Sequence, residues 1–97
     1  MFELTFAESA LEDLRYFRKA EQNRILDAIE EQLPADPLEQ TRNRKPLRPN
    51  DLSAWEMRVG KHRVFYDVDE IESNVTIKAV GRKEHNRLFI RGKDYRP

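Results

Sequence analysis

The sequence predicts an α+β fold: an N-terminal strand, a two-helix hairpin, then antiparallel strands forming one small twisted sheet. Three observations carry this. Phe2, Leu4 and Phe6 alternate with Glu3 and Thr5 in the strand sense. Apolar residues recur at helical spacing between Leu11 and Leu33. Two further period-two runs, Trp55–Val59 and His62–Val68, are joined by Gly60-Lys61.

The first strand leads into a helix that Ser9 caps, or that Thr5 or Ala7-Glu8 starts a turn sooner. Leu11, Leu14 and Phe17 form its inward stripe, and Arg15, Arg18 and Lys19 gather late, where cations suit the helix dipole. A break near Ala20 to Gln22 precedes a second helix with Ile25, Ala28, Ile29 and Leu33 inward, ended by Pro34. Two amphipathic helices with a short joint make an αα-hairpin. Residues 39 to 51, EQTRNRKPLRPND, read as an extended, irregular basic arm, because Pro46 and Pro49 forbid regular helix. It is either a solvated linker or an arm beside the sheet, with Leu47 and Leu52 pinning it.

The hairpin follows. Gly60 supplies the positive φ of a type II′ turn. With Gly60 and Lys61 as the loop, Val59 faces His62, Arg58 faces Arg63, Met57 faces Val64, Glu56 faces Phe65 and Trp55 faces Tyr66. Trp55, Met57, Val64 and Tyr66 make one apolar face. The other sets Arg58 across from Arg63, and like charges directly opposite weaken a sheet. Such a pair needs a carboxylate, for which Glu56 is placed, or an anion to bind. Val75, Ile77 and Ala79 alternate in a further strand, with Lys78 a possible neighbour of the Arg face. Lys83 to Asn86 reads as a helical turn, Leu88 to Arg91 as a short final strand, and the chain frays from Lys93.

Ninety-seven residues are expected to form one domain, 1–97. Apolar residues are 38% and charged residues 37%, well above the ~25% charged of an average domain. The net charge of zero argues against a polyelectrolyte that coats nucleic acid. It hides an asymmetry: residues 1–40 hold ten acids and four bases, residues 41–97 fourteen bases and eight acids. The basic half either attracts the acidic half or binds an anion. There is no Cys, so no disulfide framework or Cys-ligated metal. Two His and scattered acids show no ligand spacing, and the three Gly stand alone, so neither a metal, a cofactor nor a phosphate loop is expected. No apolar run reaches membrane length, and Met1 runs into FELTF without a leader pattern, so the cytoplasm is the default location.

The pattern aromatic-x-x-Arg-Val-Gly-x-x-Arg-Val-x-Tyr at Trp55 to Tyr66 and the Val-Gly-x-Lys turn at Val80 to Lys83 resemble the RelE/ParE superfamily of bacterial toxins from toxin–antitoxin pairs. The resemblance covers almost the whole chain. It implies one of two activities, since one fold hosts several. RelE-type members are ribosome-dependent endoribonucleases that cut mRNA without a metal; the ribose 2′-OH attacks the adjacent phosphate. ParE-type members act on DNA gyrase and lack the nuclease residues. A degenerate member would only bind its antitoxin and control its operon. The nuclease is the leading reading, with ribosome and mRNA as partners beside a cognate antitoxin whose contacting segment is acidic.

Carried over by position, the resemblance assigns the phosphate-holding Arg to Arg63 and a second base to Arg58. Glu56 stands where a further base is usual, and is a candidate general base or a structural ion pair with the two Arg. The Arg after the Val-Gly turn falls at Lys83, or at Arg82. The late Tyr falls at Phe89, which stacks but has no hydroxyl. The arm Glu of some relatives falls at Lys45. His85 is a displaced acid or an exposed turn residue, and His62 packs or is exposed at a strand end. Arg42, Arg44, Lys45, Arg48, Lys78, Arg82, Arg87 and Phe89 complete the expected RNA-binding surface.

Overall fold

The computed structural model describes residues 1–96. In chain order the elements are β1 (Glu3–Phe6), α1 (Glu8–Arg15), α2 (Lys19–Gln32), β2 (Arg44–Pro46), β3 (Trp55–Val59), β4 (His62–Asp69), β5 (Asn74–Glu84), β6 (Arg87–Ile90) and β7 (Lys93–Tyr95). The sheet runs β2-β3-β4-β5-β6-β7, all antiparallel, and β1 joins β5 in parallel. The two helices are followed by an open antiparallel sheet, as the α+β reading expects.

The β3–β4 register is the one the alternation predicts, pair for pair from Trp55 with Tyr66 to Val59 with His62. Gly60 takes φ +60° and Lys61 has no positive φ, which fits a type II′ turn. Met57, Val64 and Tyr66 are fully buried against the helices, and Trp55 stacks on Tyr66 with centroids 6.0 Å apart. Ile25, Ile29 and Leu33 of α2 and its C-cap meet them with no exposed surface. Each such side chain contributes about 1.5–3 kcal/mol by leaving water. Tyr66 donates its hydroxyl to Pro37 O at 2.8 Å, which anchors the turn after α2.

The first helix departs from its predicted stripe. Ala10, Asp13 and Leu14 are buried, while Leu11 is 38% exposed. The cause lies in β5. One edge of this long strand pairs with β1 up to Ile77 and with β6 from Arg82, which leaves a gap. α1 fills it: Ser9 Oγ donates to Lys78 O at 3.0 Å, and Val80 N–H donates to Asp13 Oδ2 at 3.0 Å. Buried backbone groups need partners, so a carboxylate takes the inward place that apolarity assigned to Leu11. Ser9 therefore works inside the helix, and Ala7 is the N-cap. The break between helices falls at Tyr16 to Arg18, earlier than predicted; Glu21 accepts the Arg18 N–H at 3.3 Å and starts α2.

Three more differences matter for the site. The arm contributes a short edge strand, β2, which tolerates Pro46 because no strand among the described residues pairs beyond it. The C-terminus does not fray at Lys93 but turns back as β7. No helical turn forms at Lys83 to Asn86. β5 continues to Glu84, and His85 (φ +50°) with Asn86 (φ +65°) makes a two-residue turn into β6.

Candidate functional site

The strand alternation that buries Met57 and Val64 turns Glu56, Arg58, Arg63 and Phe65 to the face away from the helices. Gly81 pairs with Arg63, so Lys83, two residues on, lies on that face too. Lys45 of β2 pairs with Glu56. Cations from four strands thus meet on one surface.

Within it, Arg63 is half-buried and held in place. Its Nη1–H donates to Gly60 O and to His62 O, both at 2.9 Å. Burial lowers its pKa, Glu56 opposes this and Arg58 adds to it; an arginine stays charged regardless. Arg58 is exposed and has no ion pair among the described residues. Glu56 Oε2 lies 3.9 Å from Lys45 Nζ, and that is its only ion pair among the described residues. The carboxylate therefore pairs directly with the arm and acts on Arg63 only through its field.

Beside this pair a cleft of about 890 Å³ opens between the arm and the C-terminal hairpin, with Glu56 and Phe65 in its lining. Lys45, Arg48, Lys83, Arg87 and Arg96 line it against two acids, Glu56 and Asp94. Asp94 Oδ2 is taken by Arg87 at 2.8 Å and Arg96 at 3.9 Å. Arg48 and Lys83 keep unpaired charges among the described residues, and Leu88 and Tyr95 add apolar and aromatic surface. Such a cleft suits a ligand with negative charge and a flat ring.

Several expected residues lie elsewhere. Arg44 pairs with Met57 and so points to the helix side; it is 7% exposed, with Nη1 2.6 Å from Gln32 Oε1 and Nε 3.3 Å from Glu39 O. It braces α2, because a buried guanidinium must be satisfied by local acceptors. Arg82 pairs with Phe89, one residue out of phase with Arg63, so both leave the open face; Arg82 bonds Glu84 at 2.6 Å. No turn forms at Val80 to Lys83, which is continuous β5; of Arg82 and Lys83, Lys83 is the one that shares the face of Arg63. His85 is exposed at the tip of the turn, outside the cleft lining. Lys78 is the unpaired residue of a bulge between the Phe65–Ala79 and Tyr66–Ile77 pairs, by Asp67 and not the arginines. Arg42 is exposed before β2 and does not line the cleft. His62 is buried, edge-on to Phe17, with Nε2 3.1 Å from Glu21 Oε2.

Tyr95 was missed. It pairs with Leu88, which pairs with Lys83, so three strands carry one face to the cleft. The signal is Arg91-Gly92, an X-Gly pair that favours a two-residue hairpin turn between Ile90 and Lys93.

The family described as the ParE toxin of type II toxin–antitoxin systems, parDE, matches residues 4–87. The chain belongs to this family. No curated protein matches the toxin in sequence. Among solved structures, a chain of the toxin–antitoxin complex RelBE2 from Mycobacterium tuberculosis is 24% identical with TM-score 0.73, over 84% of this toxin and 98% of that chain. The isolated E. coli RelE toxin is 21% identical with TM-score 0.70, over 88% and 87%. A chain of the YoeB dimer from Staphylococcus aureus is 25% identical with TM-score 0.62, over 87% and 97%. The toxin shares their fold.

Proposed function

We propose that this toxin is an mRNA interferase, a ribosome-dependent and metal-independent endoribonuclease that inhibits translation. One observation carries the reading: Arg58 stands directly opposite Arg63, and neither makes an ion pair with a carboxylate among the described residues. A like-charge pair costs stability, and a bound phosphate offsets that cost.

In this reading Arg63 and Arg58 hold the scissile phosphate, and Lys83 approaches from β5. The 2′-OH attacks the phosphorus, its proton passes to solvent or a nearby acceptor, and the 5′-oxygen leaves and is protonated. A 2′,3′-cyclic phosphate and a 5′-OH result. The cations stabilise the extra negative charge of the transition state, a contribution of about 2.7–4 kcal/mol per well-placed donor. Orientation of the 2′-OH supplies more.

The RelBE2 structure of M. tuberculosis is a toxin–antitoxin complex. By analogy this toxin takes a cognate antitoxin, and the cations of the cleft favour an acidic segment. A second reading, a ParE-like toxin that binds a protein target such as DNA gyrase, is favoured by the family match itself and by Phe89 lying off the open face.

Primer extension on translating ribosomes tests the choice. Cuts in the decoding-site codon that vanish with Arg63→Ala support the interferase. Intact mRNA together with gyrase-dependent DNA breaks would replace it with the second reading.

A further inference from the structure

The C-terminal hairpin forms one wall of the cleft through Arg87, Leu88, Asp94, Tyr95 and Arg96. It is joined to the rest of the sheet by only three residue pairs, at Arg82, Lys83 and Glu84 of β5, and β7 is an edge. A Cβ on Gly81 would stand 2.8 Å from Phe89 O, so β6 lies close over β5 at that point. The far end of the hairpin needs its own support.

That support comes from α1. The turn is Arg91 (φ +51°) and Gly92 (φ +76°). The first place in such a left-handed turn favours Asn, Asp or Gly, and another residue there stores strain of order 1–3 kcal/mol. Arg91 offsets that strain through its side chain: Nε lies 2.9 Å from Asp13 Oδ1, and Nη1 3.3 Å from Glu12 Oε2. Asp13 is 1% exposed and has its other oxygen on Val80 N–H. Its Oδ1 has no aligned hydrogen bond, so the Arg91 charge is its sole compensation among the described residues.

We infer that Arg91 and Asp13 are positioning residues: their ion pair is a latch that holds the β6–β7 hairpin as a wall of the cleft, so a buried carboxylate on α1 sets the shape of a site it does not line. The latch stands on its own geometry. Its consequence for ligand binding rests on the reading of the cleft as an RNA site.

Two measurements on the full chain test it. In hydrogen exchange, Arg91→Ala speeds the amides of residues 87–95 by about tenfold or more, because the buried Asp13 carboxylate loses its countercharge and the turn its tie to α1, while those of β3 and β4 keep their wild-type rates. Arg91→Lys, which keeps the charge, restores part of the protection. In fluorescence anisotropy with a short single-stranded RNA, Asp13→Asn weakens binding several-fold. Removal of a negative charge near a cationic cleft acts by itself in the opposite direction, so weakening reports lost position. Wild-type exchange at 87–95 in Arg91→Ala overturns the latch. Faster exchange with unchanged or tighter RNA binding in Asp13→Asn overturns its role in the cleft. If the wild-type chain binds no free RNA, the exchange contrast alone decides the latch, and primer extension on ribosomes still decides the RNA reading.

Discussion

Glu56 Oε2 and Lys45 Nζ stand 3.9 Å apart across the β2–β3 pairing, the one ion pair that Glu56 makes among the described residues. A carboxylate engaged by the arm is a poor general base, and it makes no direct ion pair with Arg58 or Arg63 among the described residues. Glu56→Ala therefore retains ribosome-dependent cleavage within a few-fold, whereas Arg63→Ala loses about 10²–10³ in rate. Single-turnover cleavage of ribosome-bound mRNA reads both. Loss of activity in Glu56→Ala with normal folding would restore the base role.

The Arg58 side chain has no ion-pair partner among the described residues, so its replacement by Ala leaves thermal stability nearly unchanged and weakens RNA binding at every sequence tested. For a single-stranded ligand, one lost phosphate contact lowers the slope of log K against log salt by about 0.7. An unchanged slope would remove Arg58 from the phosphate site.

Tyr95 offers the cleft a ring and a hydroxyl, and the two substitutions separate them. Tyr95→Phe keeps RNA affinity if the ring stacks on a base; Tyr95→Ala loses about 1–3 kcal/mol. Equal losses in both variants would assign the work to the hydroxyl.

Arg44 belongs to the fold although it lies in the basic arm. Arg44→Ala leaves Gln32 Oε1 and the Glu39 carbonyl without their donors, at a cost of about 1–3 kcal/mol in urea unfolding. Arg48→Ala in the same arm changes stability little and weakens RNA binding. An Arg44→Ala protein of wild-type stability would contradict the bracing role.

Burial raises the Tyr66 phenol well above its ordinary value, and Arg44 opposes this only in part. The folded state therefore keeps this proton where the unfolded chain has lost it. The associated stability is full below about pH 10, the ordinary tyrosine value, and declines as pH rises beyond it. Tyr66→Phe loses about 1 kcal/mol at neutral pH with the Pro37 hydrogen bond and flattens the alkaline decline. A denaturation midpoint with the same alkaline slope in both proteins would refute this.

Local pattern alone determined the central hairpin of this protein. Alternation and one Gly set the register of Trp55–Val68, and with it the Arg58–Arg63 juxtaposition, because a two-residue turn admits one pairing. The helical stripe of α2 was equally legible, since Ile25, Ile29 and Leu33 repeat at the spacing of one face. Tertiary structure decided the rest. Which of Arg82 and Lys83 joins the open face depends on where β5 pairs with β4. Whether Arg44 is a ligand-binding or a bracing residue depends on the face β2 turns to Met57. Asp13 is inward only because β5 leaves Val80 N–H unpaired between two neighbouring strands, a need that no local sequence records.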